Sequence, residues 1–362
     1  MRLIKKKLAI LAILALSGLI VPFHLSANEH SSFLIINAKI IDGSGGPSRF
    51  ESVRINGNRI EEVGQLQPLS GETTVDATGL ILSPGFIDTH SHHDGHIFEM
   101  PDALSAVSQG ITTIVVGMDG FSMVPLSNFF TQLENNPVAI NIASYSGHNS
   151  LRSMTMGKDY KRPSTQVEMR NMADLLKQDM KDGALGLSTG LEYDPGLYSE
   201  TDEVVDLLKI VSNYKGRYTS HMRSEDISLE AALDEFIEIS RRTKLPSQIS
   251  HIKLAKRSLW GQSPWMIDKL NRARAEGLDI TADVYPYTFY ESTMRILFAK
   301  RDFDNRESAE YALTELVYPD GLTISHYGPD PSLIGKTIAE IAAARGKDPA
   351  TVLMDLIRED ED

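Results

Sequence analysis

The feature that most restricts the fold of this chain is a regular alternation of strand-like and helical segments, which begins at Gly85. Short apolar runs recur along the chain, and amphipathic segments of helical period separate the later ones. The runs are GFIDTHSH, GITTIVVGMDG, AINIASYSGHNS, GALGLSTGLEY, GRYTSHMRSE, PSQISHIKLA and LDITADVYPYT. Alternating β and α segments predict a parallel sheet, and therefore an α/β fold.

Polar residues collect at the carboxyl end of nearly every one of these runs. In a (β/α)8, or TIM-like, barrel the active site lies at that end of the strands. A doubly wound open sheet is the alternative, but such a sheet usually holds its ligand at one switch point. The distribution of polar residues therefore favours a barrel, although the seven runs are one short of eight. A charged, irregular stretch follows Thr288, and residues 332–362 predict two further helices.

The residues before Gly85 have a different pattern. FLIINAKIID, SVRINGNRIEEVG and TTVDATGLILSPG are short strand-like runs, separated by turn sequences such as GSGG and NGN. They predict a small β unit within residues 28–83, followed by the barrel region in residues 84–362.

The N-terminus has the order of a secretory signal peptide. A basic start, MRLIKKK, precedes an apolar run from Leu8 to Phe23, and Ala27 is a suitable cleavage point. A membrane anchor is the alternative, but a run of sixteen residues is slightly short of a membrane span. We predict that residues 1–27 are removed, that no stable membrane anchor remains, and that the protein is periplasmic or secreted.

Charge and cysteine content narrow the possible ligands. The net charge of −13 makes nucleic acid or an anionic membrane a poor partner. The chain has no cysteine, so a metal site must use histidines and carboxylates.

Histidines point to such a metal site. The stretch GFIDTHSHHDGH, residues 85–96, contains four of the ten histidines. On a strand, His90 and His92 would project from one face and His93 from the other. His221 and His251 end two later strands. A single strand histidine is more often a core or surface residue, but four at strand ends predict a zinc site, with two ions if a carboxylate bridges.

Two acids are candidates for that bridge. Asp119 ends the second strand and Glu192 follows the fourth. The alternatives are a turn residue before Gly120 for Asp119 and a solvated loop acid for Glu192. We predict both as metal ligands.

Cationic and phenolic side chains lie at the same strand ends. They could orient an anionic substrate such as a carboxylate, or they could form salt bridges to Glu225 or Asp283 and pack as aromatics. His148 could bond the substrate or hold its loop. The predicted substrate-binding residues are Lys253, Arg223, Tyr193, Tyr285 and His148, with Tyr287 nearby.

The motifs PGFIDTHSHHD, GITTIVVG, GALGLSTGLEYDPG, YTSHMRSE, ISHIK and YPYT together resemble those of the amidohydrolase superfamily. Within it they are most similar to the N-acyl-D-amino-acid deacylase, or D-aminoacylase, branch, from about residue 33 onwards. The resemblance implies a (β/α)8 barrel beside a β-sandwich built from both chain ends. It also implies a zinc hydrolase with one or two ions, in which metal-activated water attacks the amide of a small carboxylate-bearing substrate.

The resemblance also assigns residues. It places His90 and His92 as one ligand pair and His221 and His251 as the other. Lys253, Tyr193 and Tyr285 match contacts to the substrate carboxylate, and Ser292 matches a substrate hydrogen-bond donor after YPYT.

The sequence departs from the branch at two points. Asp119 stands where the branch has a bridging cysteine, and Glu192 where other superfamily members have a bridging carboxylated lysine or glutamate, so we expect a carboxylate bridge. The catalytic aspartate of strand eight is not found: Asp320, in YPDG, comes before the paired helices, and no catalytic residue is assigned. We therefore expect a truncated or frameshifted gene product.

The primary prediction is a metal-dependent amide hydrolase that deacylates N-acyl-D-amino acids. A cyclic amidase of the hydantoinase or dihydroorotase kind is one alternative. A non-catalytic metal-binding or carboxylate-binding remnant is the other. The sequence gives no indication of oligomeric state.

Overall fold

The computed structural model describes residues 32–360, which divide after Pro84 into two compact units. The predicted signal peptide lies outside these residues. Among the residues described, no helix is both long enough and apolar enough to cross a bilayer.

The first unit is a five-stranded sheet. Its strands are β1 (Ser32–Ile40), β2 (Arg49–Asn56), β3 (Arg59–Gly64), β4 (Thr73–Asp76) and β5 (Ile81–Leu82). The central strand β1 pairs antiparallel with β2 and parallel with both β4 and β5. Leu34, Ala38 and Val53 are buried, and so are Ser52 and Arg54 on either side of Val53 in β2. The sheet lies within residues 28–83, where a small β unit is predicted, and its part in a β-sandwich stays a prediction.

The second unit contains the predicted parallel strands. They are β6 (Phe86–Asp88), β7 (Ile111–Val116), β8 (Asn141–Ser144), β9 (Ser146–Gly147), β10 (Gly186–Gly190), β11 (Arg217–His221), β12 (Ser247–Ile249) and β13 (Ile280–Ala282). Only Tyr145 separates β8 from β9, so all seven predicted runs are present. They form the sheets β6-β7-β8 and β9-β10-β11-β12-β13, in which every pair is parallel. Within residues 85–360, β6, β8, β9 and β13 lie at sheet edges, and no further strand follows β13.

Helices follow most of the strands. They are α1 (Leu104–Val107), α2 (Leu126–Asn135), α3 (His148–Met156), α4 (Gln166–Lys181), α5 (Thr201–Asn213), α6 (Leu229–Thr243), α7 (Ser263–Ala275), α8 (Arg306–Tyr311), α9 (Ile338–Arg345) and α10 (Pro349–Glu359). Thr165 and Glu168 form a capping box that fixes the start of α4. The apolar faces of α4, α5 and α6 pack with Leu187 and Ile249 of the sheet in one core.

The last part of the chain forms a small helical layer of its own. A 3₁₀ turn at Met294–Leu297, helix α8 and the π turn Ala312–Leu316 pack against α10. Helices α9 and α10 confirm the two helices predicted near the end of the sequence. Each has a side-chain cap at its start, from Thr337 and Asp348 respectively.

Candidate metal and substrate site

A cluster of imidazoles surrounds the carboxylate of Asp119. Its Oδ2 atom lies 3.5 Å from Nε2 of His90, and 3.3 Å from Nε2 of both His92 and His251. His90 and His92 come just after β6, with their Nε2 atoms 3.3 Å apart, whereas His93 turns away to Ser91 and Ser105. The structure therefore brings the two predicted histidines together and separates the third, as the strand pattern predicts.

The turn after β7 aims Asp119 at this cluster. Asp119 has a φ of 52°, which an aspartate tolerates better than most residues. Gly120 follows with a φ of 84°, and a Cβ there would lie 2.4 Å from Oδ1 of Asn149 and 2.6 Å from the backbone nitrogen of Gly190. Only glycine fits this close approach to the end of β10. Asp119 is thus both a turn residue and part of the cluster.

The second histidine pair lies at the carboxyl ends of β11 and β12. His221 ends β11, and His251 follows β12 with a φ of 35°. Nδ1 of His221 is 2.9 Å from Nε2 of His251, and Nε2 of His221 is 2.8 Å from Oε2 of Glu192. A backbone in this left-handed region costs free energy for a non-glycine residue, and such strain is concentrated at functional sites.

The two candidate bridging acids differ in their positions. Asp119 belongs to two groups whose potential ligand atoms lie within 4.8 Å of one another, one with His90 and His92 and one with His221 and His251. Glu192 belongs to a third group, with His221 and Glu225. Asp119 is therefore the carboxylate that touches both predicted ligand pairs.

The carboxylates favour positive charge at the cluster. Burial alone lowers the pKa of His90, but hydrogen bonds to Asp119 and Asp283 outweigh it and raise that pKa to about 10. Burial also lowers the pKa of His251, but Asp119 and Glu225 outweigh this effect and raise that pKa to about 9. Burial raises the pKa of Asp119, yet the three imidazoles hold it well below the ordinary value. Burial raises the pKa of Glu192.

Lys253 and two tyrosines lie beside the cluster. The Lys253 ammonium is 5.8 Å from the ring centres of Tyr285 and Tyr290, and its Nζ atom is 2.5 Å from Glu225. The Tyr193 ring packs 4.4 Å from the His221 ring. Burial raises the pKa of Tyr285 to about 12, so its phenol is a hydrogen-bond donor at neutral pH.

Ser292 reaches the same place from the stretch after β13. Its Oγ atom is 3.4 Å from Oη of Tyr193. The structure therefore brings together four of the predicted substrate-binding residues, Lys253, Tyr193, Tyr285 and Ser292.

Two other predicted substrate residues have different partners. His148 begins helix α3, is fully buried, and contacts Glu203 through Nε2 at 2.8 Å. It cannot touch a substrate, so the structure contradicts that role and supports the alternative of an internal contact. Arg223 lines a cavity of about 250 Å³ with Glu192, but its guanidinium is held by Glu235 at 2.8 Å and by the Leu197 carbonyl at 2.9 Å. Arg223 thus pairs with Glu235 beside this cavity, and its contact with a substrate carboxylate stays a prediction.

Two contacts at the site have no counterpart in the sequence-based prediction. Nδ1 of His90 is 3.2 Å from Asp283, which follows β13, and the Arg301 guanidinium bonds the backbone carbonyl of Glu192. The sequence could have indicated Asp283 as a site residue, since it lies at a strand end in DITADVY. No sequence pattern could have indicated Arg301, because it lies in the irregular stretch after Thr288. Asp320 is exposed in a turn and stays unassigned.

Comparisons with known proteins agree with this geometry. The model of the amidohydrolase family matches residues 73–316. The chain is 31% identical to a D-aminoacylase of Alcaligenes xylosoxydans xylosoxydans over 357 residues, which cover 91% of this chain and 69% of that protein. It is 34% identical to an N-acyl-D-glutamate deacylase of the same organism, over 89% of this chain and 67% of the relative.

A solved structure gives the same result. The chain is similar to the crystal structure of N-acyl-D-glutamate deacylase from Bordetella bronchiseptica, complexed with zinc and a phosphonate inhibitor that mimics the tetrahedral intermediate. The TM-score is 0.79 and the identity 31%, over 91% of this chain and 70% of that one. The two share an α/β fold, and the chain spans about two thirds of the length of these relatives.

Proposed function

The chain belongs to the amidohydrolase family, and from that premise we propose that it is a metal-dependent hydrolase that removes the acyl group from N-acyl-D-amino acids. One observation carries this proposal. The buried carboxylate of Asp119 lies between two pairs of histidines, and the Lys253 ammonium lies beside them.

The residues at this place fit zinc. Imidazole nitrogens and carboxylate oxygens are ligands that zinc takes in hydrolases. Oδ1 of Asp119 is buried and has no hydrogen-bond partner, which is costly for a charged oxygen unless a cation lies against it. We infer that His90 and His92 hold one ion, that His221 and His251 hold a second, and that Asp119 bridges.

Zinc in this place would polarise the amide carbonyl and make water a nucleophile at neutral pH. The protein's own part is to bind and orient the substrate. Lys253 would hold the substrate carboxylate, since an ammonium group has three donors and Glu225 does not use all of them. Tyr285, Tyr193 and Ser292 would donate hydrogen bonds beside it. Asp119 is a poor base, because the imidazoles keep its pKa well below the ordinary value.

The test is a hydrolysis assay with zinc supplied, in which release of amine reports N-acyl substrates and ring opening to the N-carbamoyl product reports hydantoins. N-acetyl-D-amino acids, their L-enantiomers and hydantoins would be offered in parallel to the full chain. Turnover of the D-substrates alone is expected. Turnover of hydantoins would instead support the cyclic amidase, and zinc uptake without any turnover would support the non-catalytic alternative.

A further inference from the structure

Two imidazoles at the metal centre have a carboxylate on the ring nitrogen that faces away from Asp119. Nδ1 of His90 lies 3.2 Å from Asp283, and Nδ1 of His251 lies 2.9 Å from Oε1 of Glu225. In both rings, Nε2 faces Asp119.

This arrangement selects one form of each ring. A neutral imidazole has one N–H donor and one acceptor nitrogen. A carboxylate beside Nδ1 accepts the proton of that nitrogen and leaves the Nε2 lone pair directed at the centre. Nδ1 of His251 also lies 3.0 Å from Nζ of Lys253, and of these two neighbours only Glu225 can accept its proton. Asp283 and Glu225 therefore both orient a nitrogen for a metal.

Glu225 differs from Asp283 in its second partner. Its other oxygen, Oε2, lies 2.5 Å from Nζ of Lys253. Asp283 instead accepts from the Gln248 amide at 2.6 Å and from the His251 backbone N–H at 2.6 Å. Glu225 is buried, and so it binds both partners largely away from water.

We propose that Glu225 is a positioning residue that orients His251 toward the metal and Lys253 toward the substrate carboxylate at the same time. Metal binding and substrate recognition then depend on one side chain. The Lys253 half of this proposal rests on the proposed function, while the His251 half concerns metal binding alone.

The substitution Glu225→Gln tests this coupling with little change of shape. A carboxylate accepts hydrogen bonds on both oxygens, whereas an amide accepts on one only. The glutamine can therefore serve His251 or Lys253 but not both. Asp283→Asn is the matched control, because it alters the corresponding carboxylate on His90 without contacting Lys253.

Two quantities would be measured for each folded variant. The first is zinc affinity, by competition with a chelator, and the second is KM for an N-acetyl-D-amino acid at saturating zinc. Loss of an orienting carboxylate typically weakens metal binding about 10- to 100-fold. We expect that loss in both variants, together with a rise in KM of about tenfold for Glu225→Gln only. In Glu225→Ala combined with Lys253→Ala, KM should be no higher than in Lys253→Ala alone.

Several outcomes would overturn the proposal. Unchanged zinc affinity in Glu225→Gln would leave the residue a simple salt-bridge partner of Lys253. Loss of a whole zinc equivalent at saturating metal, as expected for His221→Ala, would make it a direct ligand. An equal rise in KM for Asp283→Asn would show a general disturbance.

The proposed function can fail separately. If the wild-type chain binds zinc without turnover, calorimetric Kd values for N-acetyl-D-leucine replace KM in the comparison. Absence of both turnover and binding would overturn the proposed function and the Lys253 half. The zinc affinities of Glu225→Gln and Asp283→Asn would still decide the His251 half.

Discussion

At the scale of the residue, Asp119 is the most consequential side chain of the second unit. Its Oδ2 atom lies near three imidazoles, whereas its buried Oδ1 atom has no hydrogen-bond partner among the described residues. A buried carboxylate oxygen without a partner is costly, and a cation against Oδ1 would supply one. The same reasoning makes it more important than Glu192, which already has a partner in His221.

The substitution Asp119→Asn should remove the shared ligand while it keeps the shape of the turn. We expect zinc content to fall toward one ion or fewer per chain and kcat to fall by about 100-fold or more, because a neutral amide is a weak zinc ligand. Elemental analysis and the amine-release assay would measure both. Glu192→Gln is the control and should retain zinc at His90 and His92. A full zinc complement in Asp119→Asn would argue against a bridge.

Lys253 has a narrower role, and its removal should be visible in one kinetic parameter. For Lys253→Ala we expect KM for N-acetyl-D-amino acids to rise about tenfold or more with a smaller change in kcat. The reason is that Lys253 would bind the carboxylate equally in the bound substrate and in the transition state. The same variant should treat the corresponding N-acetyl-D-amino acid amides, which lack the carboxylate, much as the wild type does. An unchanged KM for the carboxylate substrates would exclude this role.

The outcomes at individual residues show what a sequence can and cannot indicate. His90, His92, His221 and His251 were predictable because strand ends of a parallel sheet meet at one edge. His148 was not, because its polar run begins helix α3, and its partner Glu203 is 55 residues further along the chain. Arg223 pairs with Glu235 on α6, and its contact with a substrate stays a prediction.

At the scale of the element, a buried ionic cluster joins helices α3 and α5. Both oxygens of Glu203, on α5, lie 2.7 Å from the Arg152 guanidinium, on α3. His148 and Ser164 also contact this carboxylate, at 2.8 Å and 2.6 Å. Burial raises the pKa of Glu203, but these partners outweigh it and lower that pKa to about 2. The cluster holds the start of α3 and the loop before α4 against α5.

This cluster predicts a particular sensitivity to acid. A depressed folded pKa gives stability that is present above the unfolded value, 4.5, and is lost as pH falls through about 2. We expect the wild type to lose about 3 kcal/mol from Glu203 over that window. Glu203→Gln should be less stable by about 3 kcal/mol or more at pH 6 and should show a flatter acid response. Urea unfolding at pH 6 and pH 3 should show about 2 kcal/mol of this loss, because pH 3 is still above the folded pKa. Parallel losses in both proteins would contradict the prediction.

The elements themselves were largely predictable. Apolar runs bounded by glycine and polar residues identified all seven strand segments, and caps and helical periods identified α9 and α10. The break of the third run at Tyr145 was not predictable, because it depends on which neighbour each half pairs with. The left-handed turn at His251 depends in the same way on the hydrogen bond that its backbone N–H donates to a distant acid, Asp283.

At the scale of the whole molecule, the metal centre draws its groups from most of the second unit. The predicted ligands follow β6, β7, β10, β11 and β12, so one centre connects segments from His90 to His251. A ligand that binds only the folded state stabilises that state by mass action. Zinc should therefore act on the stability of the second unit as a whole.

Removal of zinc should lower the melting temperature of this unit. At free zinc a thousandfold above Kd, the linkage amounts to about 4 kcal/mol. We expect a chelator to lower Tm by several degrees and added zinc to restore it, as measured by calorimetry. His221→Ala should show a smaller response, and a wild-type Tm that is independent of zinc would contradict the ligand assignment.

The contact between His90 and Asp283 has a consequence for how the molecule is made. These residues are 193 positions apart, and bringing such distant segments together costs about 5 kcal/mol of chain entropy. A ribosome must therefore deliver the chain as far as Asp283, with all the strands from β6 to β13, before the His90 ring can be locked in place. Acquisition of the metal would then follow formation of these strands.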